Sequence, residues 1–270
     1  MAQRNLHRSP NLVFVGLTIL ALCVYCALFP IDVQRAMFLA AALSFASDAV
    51  RRLIQHIEHS TCLRAFVSPN VAQQMRRQGT KALDQDIDAD ISIICADIRN
   101  FTAFSASIEP REVMQFMREY YEAVGKVVRQ FDGTIKDYAG DGILVLIGAP
   151  QPMHDHASRA VNMAVAIRKA ALSVTARWST DAARLGIGIG VASGPVTLGV
   201  VGGAERREYA AVGPAVNLAA RLCSKARCSE ILLNDDTLGR AREQRCHVPA
   251  KTRIPLMLKG FADEVSVASC

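Results

Sequence analysis

The chain has 270 residues, 51% of them hydrophobic and 21% charged, with a formal net charge of +6. That length suits one full domain with a smaller appendage, and so much apolar material excludes a largely disordered chain. The basic excess points to an anionic lipid or small substrate, since no Lys/Arg run with interleaved aromatics marks a nucleic-acid track.

From Leu12 to Phe29 the sequence LVFVGLTILALCVYCALF is almost wholly apolar. About 18 residues at 1.5 Å each make about 27 Å, just enough to cross a bilayer core. A second stretch, Ile31 to Val50, contains AMFLAAALSFA and could also cross, with Arg35 snorkelling. Three arrangements stay open. They are a two-span hairpin with both ends cytoplasmic, a single span, and a cleaved signal peptide, although no clean cleavage site follows. Residues 1–50 are thus expected to anchor the chain in the inner or plasma membrane, with lipid as a partner and the rest in the cytosol. Residues 51–90 read as a helical connector. Its RRLIQHIEHSTCLRAF segment puts Leu53, Ile54, Ile57 and Leu63 on one side, and Ser68-Pro69 breaks or restarts the helix.

Residues 91–270 hold the main domain. Ile91 to Ala96 is β-branched and apolar, a predicted buried strand ending at Asp97. Pro110 opens a helix with apolar residues at steps of three and four, from Val113 to Phe131, and Asp132-Gly133 ends it. Thr134–Tyr138 and Ile143–Ile147 read as a hairpin with Asp141 at its tip. An Ala-rich helix spans Ala157–Ala176. Leu185–Ala192 is a glycine-rich strand suited to close approach by another backbone, and Pro195–Val201 a further strand. A helix over Pro214–Lys225 and strands at Glu230–Leu233 and Leu256–Lys259 complete the reading. The order β-α-β-β-α-β with C-terminal additions predicts a ferredoxin-like α+β sandwich. The eight cysteines are irregularly spaced and form no pair of CxxC units, so a zinc site is not expected.

In such a sheet the first and third strands are neighbours, so Asp97 and Asp141 can converge. Two carboxylates at an open mouth suit Mg²⁺ or Mn²⁺, which take oxygen ligands and keep positions free for phosphate. Taken singly, Asp97 also reads as a helix cap and Asp141 as a turn residue.

The motifs ISIICADIRNFTAFS, DGTIKDYAGDGILVLIGAP, RLGIGIGVASGPVTLGVVGGAERREYAAVGPAVNLAARL and LMLKG together resemble the class III adenylate and guanylate cyclases, over about residues 64–268. The resemblance implies a homodimer with two composite sites and two metal ions in each. By the same resemblance, Asp97, Asp141 and the carbonyl of Ile98 bind metal. Asn100, Phe101 and Thr102 form the turn that holds the terminal phosphates, with Asn100 standing where the family often has Gly. Arg184 and Lys259 contact phosphate, and Asn217 and Arg221 orient the ribose and stabilise the transition state. The base pocket departs from the family. The usual adenine-selecting lysine position is Asp137, with Lys136 one step earlier, where strand alternation would turn it to the other face. The partner position is Ala210. An ATP cyclase is the leading expectation. A guanylate or relaxed-specificity cyclase, a catalytically silent dimerisation module and a two-metal nuclease remain as alternatives.

Overall fold

The computed structural model describes residues 33, 44–48, 50, 68–78, 85–180, 183–203, 205, 207–244, 246, 252–260 and 264–270. The chain forms two compact units, Met1–Ala65 and Phe66–Cys270. The apolar run Leu12–Phe29 and the connector helix expected over residues 51–66 lie outside the described residues. No helix among the described residues is long and apolar enough to cross a membrane.

The second unit opens with α1 (Pro69–Gln78), where Pro69 occupies the first turn and Ala72 N–H bonds the Ser68 carbonyl at 2.9 Å. There follow β1 (Ile87–Arg99), α2 (Phe101–Ser107), α3 (Pro110–Gln130), β2 (Thr134–Ala139), β3 (Gly142–Ile147) and α4 (His156–Trp178). Then come β4 (Gly186–Gly202), β5 (Arg207–Val212), α5 (Pro214–Lys225), β6 (Glu230–Asn234), α6 (Asp235–Glu243), β7 (Thr252–Leu256) and β8 (Val265–Ser269). The fold is α+β around one eight-stranded sheet, ordered β2-β3-β1-β4-β6-β8-β7, with β5 paired to β4 off that path. Its first four strands, β2-β3-β1-β4, pair antiparallel as the ferredoxin-like order requires.

Both faces of β1 are covered, which is why it reads as an unbroken apolar run. Ile94, Ala96 and Ile98 pack with Phe104, Phe116, Tyr120 and the inner face of α4. Ile91, Ile93 and Cys95 pack on the other face with Ala215, Ala219, Leu222 and Cys223 of α5. Each fully buried Ile or Phe here contributes about 1.5–3 kcal/mol. α3 starts in a reciprocal capping box, in which Glu109 N–H donates to Glu112 Oε2 at 3.2 Å, and Pro110 follows. α5 lies so close to β4 that a Cβ on Gly190 would sit 2.2 Å from Cys223 N and 2.3 Å from Ala219 O. The glycine-rich strand therefore does admit another backbone.

Three expectations need correction. β1 begins at Ile87 rather than Ile91, because its acidic residues find partners: Asp88 accepts from Thr197 Oγ1 at 2.8 Å and Asp90 pairs with Arg240. The two strands expected around Pro195 are one 17-residue strand, β4. Pro195 falls between the segments paired to β6 and β5, so its missing N–H interrupts neither ladder. The strand expected over Leu256–Lys259 instead ends at Leu256, and Lys259 stands in a turn with Gly260 at φ 91°.

Between β1, β4, α4 and α6 runs a buried polar chain. Ser92 Oγ bonds His156 Nδ1 at 2.8 Å and Ser193 Oγ at 2.6 Å, and Thr237 Oγ1 donates to Ser193 Oγ at 2.9 Å. Burial, aided by Arg240, holds the His156 imidazole below its usual pKa, against the opposing pull of Asp90 and Asp155. The unfolded chain therefore takes up this proton first as pH falls. Stability is full above the unfolded value, about 6.5, and is lost as pH drops through it. Urea midpoints should fall from about pH 7.5 to about pH 5.5, and fall less in His156→Gln. Equal falls in both proteins would remove His156 as the source.

Candidate active site

The pairing of β1 with β3 sets Asp97 opposite Gly142. Asp141 immediately precedes Gly142 in the tight turn between β2 and β3, so the two carboxylates stand side by side at one end of the sheet. Gly140 leads that turn with φ 64°, the left-handed value the first residue of a II′ hairpin turn needs. Burial first, then the charge of Asp97, push the Asp141 carboxyl up to about 6. A cation between the two would relieve that repulsion. Among the described residues no group of three or more His, Cys, Asp and Glu gathers. Asp97 and Asp141 supply two carboxylates, and Ile98, whose side chain is buried in the core, could add only its main-chain carbonyl. Such hard oxygen donors, with positions left over for water and phosphate, fit Mg²⁺ or Mn²⁺.

Arg99 was not singled out from the sequence, yet it braces this end of the sheet. Nη1 donates to Asp97 Oδ2 at 3.2 Å and Nη2 to the Cys223 carbonyl of α5. Its guanidinium occupies the space above Gly188, where an added Cβ would lie 2.3 Å from Nη2. The readable signal was the i, i+2 spacing from Asp97, which places two strand residues on one face.

Asn100 takes φ 62°, a conformation that Asn tolerates better than other side chains apart from Gly. Its Nδ2 donates to the Arg184 carbonyl at 2.8 Å, so the turn and the exposed Arg184 are tied together. The first helical bond of α2 runs from Phe104 N–H to the Asn100 carbonyl at 3.1 Å. The N–H groups of Phe101 and Thr102 thus have no intrahelical partner, as at any helix start. The Phe101 ring packs inward, 6.3 Å from Phe116, which leaves its main chain to serve the turn.

Asn217 and Arg221 are both exposed on α5, while Ala215, Ala219, Leu222 and Cys223 bury the opposite face. Their spacing of four puts them together on the outward side. Lys259 is exposed in its turn, and nothing described joins it to the other residues.

The base-pocket residues are arranged differently from the expectation. The β2–β3 register slips between Ile135 and Asp137, so Lys136 is the extra residue of a β-bulge. A bulge resets the alternation that would have sent Lys136 to the opposite face from Asp137. Lys136 Nζ reaches Glu208 Oε1 of β5 at 2.5 Å, with side chains 15% and 35% exposed. Glu208 and the buried Ala210, two apart on β5, share a face. Asp137 is exposed. Glu208 is a second residue the sequence reading passed over.

Tyr121 of α3 completes the surroundings. Its hydroxyl donates to the Gly140 carbonyl, and burial followed by the charge of Asp141 pushes the phenol up to about 12, so it stays protonated.

Residues 84–266 match the family described as Adenylate and Guanylate cyclase catalytic domain. The chain is 30% identical over 185 residues to an uncharacterized protein of Mycobacterium tuberculosis, covering 67% of this chain and 32% of that one. It is 31% identical over 134 residues to adenylate cyclase 1 of Rhizobium meliloti, covering 49% of this chain and 20% of that one. It therefore spans a third or less of the length of these curated relatives. Among solved structures, the guanylyl cyclase Cya2 superposes with a TM-score of 0.63 at 33% identity, over 68% of this chain and 92% of that one. The adenylyl cyclase CyaB from P. aeruginosa gives 0.61 at 26% identity, over 68% and 95%.

The Arg99–Gly188 contact makes a testable pair. Gly188→Ala must push the guanidinium off its partners, at a cost of about 1–3 kcal/mol in urea unfolding. In an Arg99→Ala background the same substitution should cost much less, because the obstructed group is gone. Equal costs in both backgrounds would contradict this packing.

Proposed function

The chain belongs to the adenylate and guanylate cyclase catalytic-domain family, and from that premise we propose that it converts ATP to 3′,5′-cyclic AMP and pyrophosphate in a homodimer. The observation that carries this reading is the placing of Asp97 beside Asp141 at the open end of β1 and β3. Asp97, Asp141 and the Ile98 carbonyl would hold two Mg²⁺ or Mn²⁺ ions. When bound, these ions supply the charge that activates the ribose 3′-hydroxyl and neutralises the departing pyrophosphate. The main chain at Asn100, Phe101 and Thr102, with Arg184 and Lys259, receives the phosphates.

Asn217 and Arg221 have the chemistry to orient the ribose and to stabilise charge building on the transferred phosphoryl group. They stand on the outward face of α5, which favours their serving a second copy's metal pair rather than their own. That supports a dimer with two composite sites. The apolar run Leu12–Phe29 supports a membrane anchor within residues 1–50, with the catalytic domain on the cytosolic side where ATP is found.

Selection of adenine needs a donor for ring N1 and an acceptor for the exocyclic amine. The bulged Lys136 and its partner Glu208 supply one of each beside Ala210. The same two groups, met in the reverse order, suit guanine O6 and N1–H. The 33% identity to a guanylyl cyclase makes GTP the second reading.

Membranes carrying the full chain are to be incubated with Mn²⁺ and either ATP or GTP, and the cyclic product identified. Cyclic AMP should dominate, and Asp97→Ala or Asp141→Ala should lower its rate about 10³-fold or more. Co-expressed Asp97→Ala and Arg221→Ala chains should regain activity that neither shows alone. Lys136→Ala and Glu208→Ala should each erode the ATP preference by about tenfold or more, since a missing partner leaves a polar group unpaired. A wild-type preference for GTP would overturn the adenylate assignment, and failure of co-expression to rescue would overturn the composite site. Recovery of the intact chain in the detergent-free soluble fraction would overturn the anchor.

A further inference from the structure

We infer that Tyr121 is a positioning residue for Asp141, its phenol holding from α3 the carbonyls of the two glycines that flank that carboxylate. The inference rests on the metal-binding reading of Asp97 and Asp141. The Tyr121 hydroxyl donates to the Gly140 carbonyl and lies 3.4 Å from the Gly142 carbonyl. It thereby touches the main chain immediately before and after Asp141. Its ring lies 4.2 Å, centroid to centroid, from Tyr138 on β2, so both the strand and the turn of this hairpin lean on one side chain.

The turn needs such a hold. Chain neighbours aside, nothing lies within 4 Å of where a Cβ on Gly140 would be. A glycine so placed has wide conformational freedom, and the Asp141 side chain swings with it. The β2 ladder is also interrupted by the bulge at Lys136, upstream of the turn. By contrast, α3 is a fixed platform. Phe116, Tyr120, Val124, Val127 and Val128 bury one side of it against the sheet. Tyr121 transmits that rigidity to the hairpin tip through a single hydroxyl. Asp141 also feels the repulsion of Asp97 until a cation arrives, so an untethered turn would relax with the carboxylates apart. Groups that orient metal ligands typically cost about 10–100-fold in metal affinity or activity when removed.

The neighbouring residue supplies an internal control. The Tyr120 hydroxyl is buried with no hydrogen-bond partner among the described residues, so Tyr120→Phe removes an equal group that orients nothing. The test is a titration of the full-length protein with Mn²⁺ alone, followed by electron paramagnetic resonance, for wild type, Tyr121→Phe and Tyr120→Phe. Tyr121→Phe should bind Mn²⁺ about tenfold more weakly. Tyr120→Phe should match the wild type, and both variants should melt within a few degrees of it. In the cyclase assay, Tyr121→Phe should need about tenfold more Mn²⁺ for half-maximal rate. Its KM for ATP at saturating Mn²⁺ should stay unchanged, which a general loosening of the fold would not produce. Wild-type affinity in Tyr121→Phe, or an equal loss in Tyr120→Phe, would overturn the inference alone. A wild type that takes up no Mn²⁺ would overturn it together with the metal-binding reading.

Discussion

Two carboxylates brought to one end of neighbouring strands repel each other, and the rest of this site is arranged around that repulsion. Burial and the charge of Asp97 together hold the Asp141 carboxyl up at about 6. The antiparallel register of β1 and β3 imposes the encounter by setting Asp97 against Gly142. A slip of one residue would send Asp97 to the opposite face and bring an apolar neighbour in its place. Three features contain the strain without removing it. Arg99 offsets part of the charge on Asp97. Asp141 holds its proton more readily than an isolated carboxylate. Tyr121 keeps the turn from opening.

The core explains why that register holds. β1 is sandwiched between two apolar layers, with Ile94 and Ile98 on one side and Ile91 and Ile93 on the other. Shifting the strand would exchange the layers and expose Asp97 to the wrong one. On the α5 side the fit depends on missing side chains. Gly190 lets the helix backbone reach the strand, and Gly188 leaves room for the Arg99 guanidinium. Through Arg99, the carboxylate end of β1 is tied to the C-terminal turn of the same helix that carries Asn217 and Arg221. Asp97 and the helix that carries Asn217 and Arg221 are thus mechanically joined through one guanidinium.

Much of this was readable from local pattern. The steps of three and four after Pro110 give a helix that begins at Pro110 and ends at Gln130, just before Asp132-Gly133. The Gly-Asp-Gly tip does join two paired strands. What escaped were features decided by distant partners. The strand was expected to start at Ile91, and its acidic lead-in is paired only through Thr197 and Arg240, far along the chain. Pro195 looked like a break because its position between two pairings of β4 is a property of the sheet, not of the sequence around it. Arg99, Tyr121 and Glu208 were passed over for the same reason, since each acts through a contact formed only on folding.

The base pocket shows how a departure from the family's pattern and a departure from regular geometry can offset one another. With Lys136 in an unbroken strand, the part-buried Glu208 beside Ala210 would lose its contact with that lysine. Removing one partner of such a pair usually costs more than the pair gains, because the survivor is left desolvated and uncompensated. The slip between Ile135 and Asp137 brings Lys136 to Glu208, and the two side chains form an ion pair. A base edge entering between them can take a donor from one and an acceptor from the other without stranding either. On the proposed reading, discrimination would reside in which of the two meets ring N1, and so in the path of the bulged strand. At the family's usual positions, Ala210 offers no polar group and an ionised Asp137 no donor.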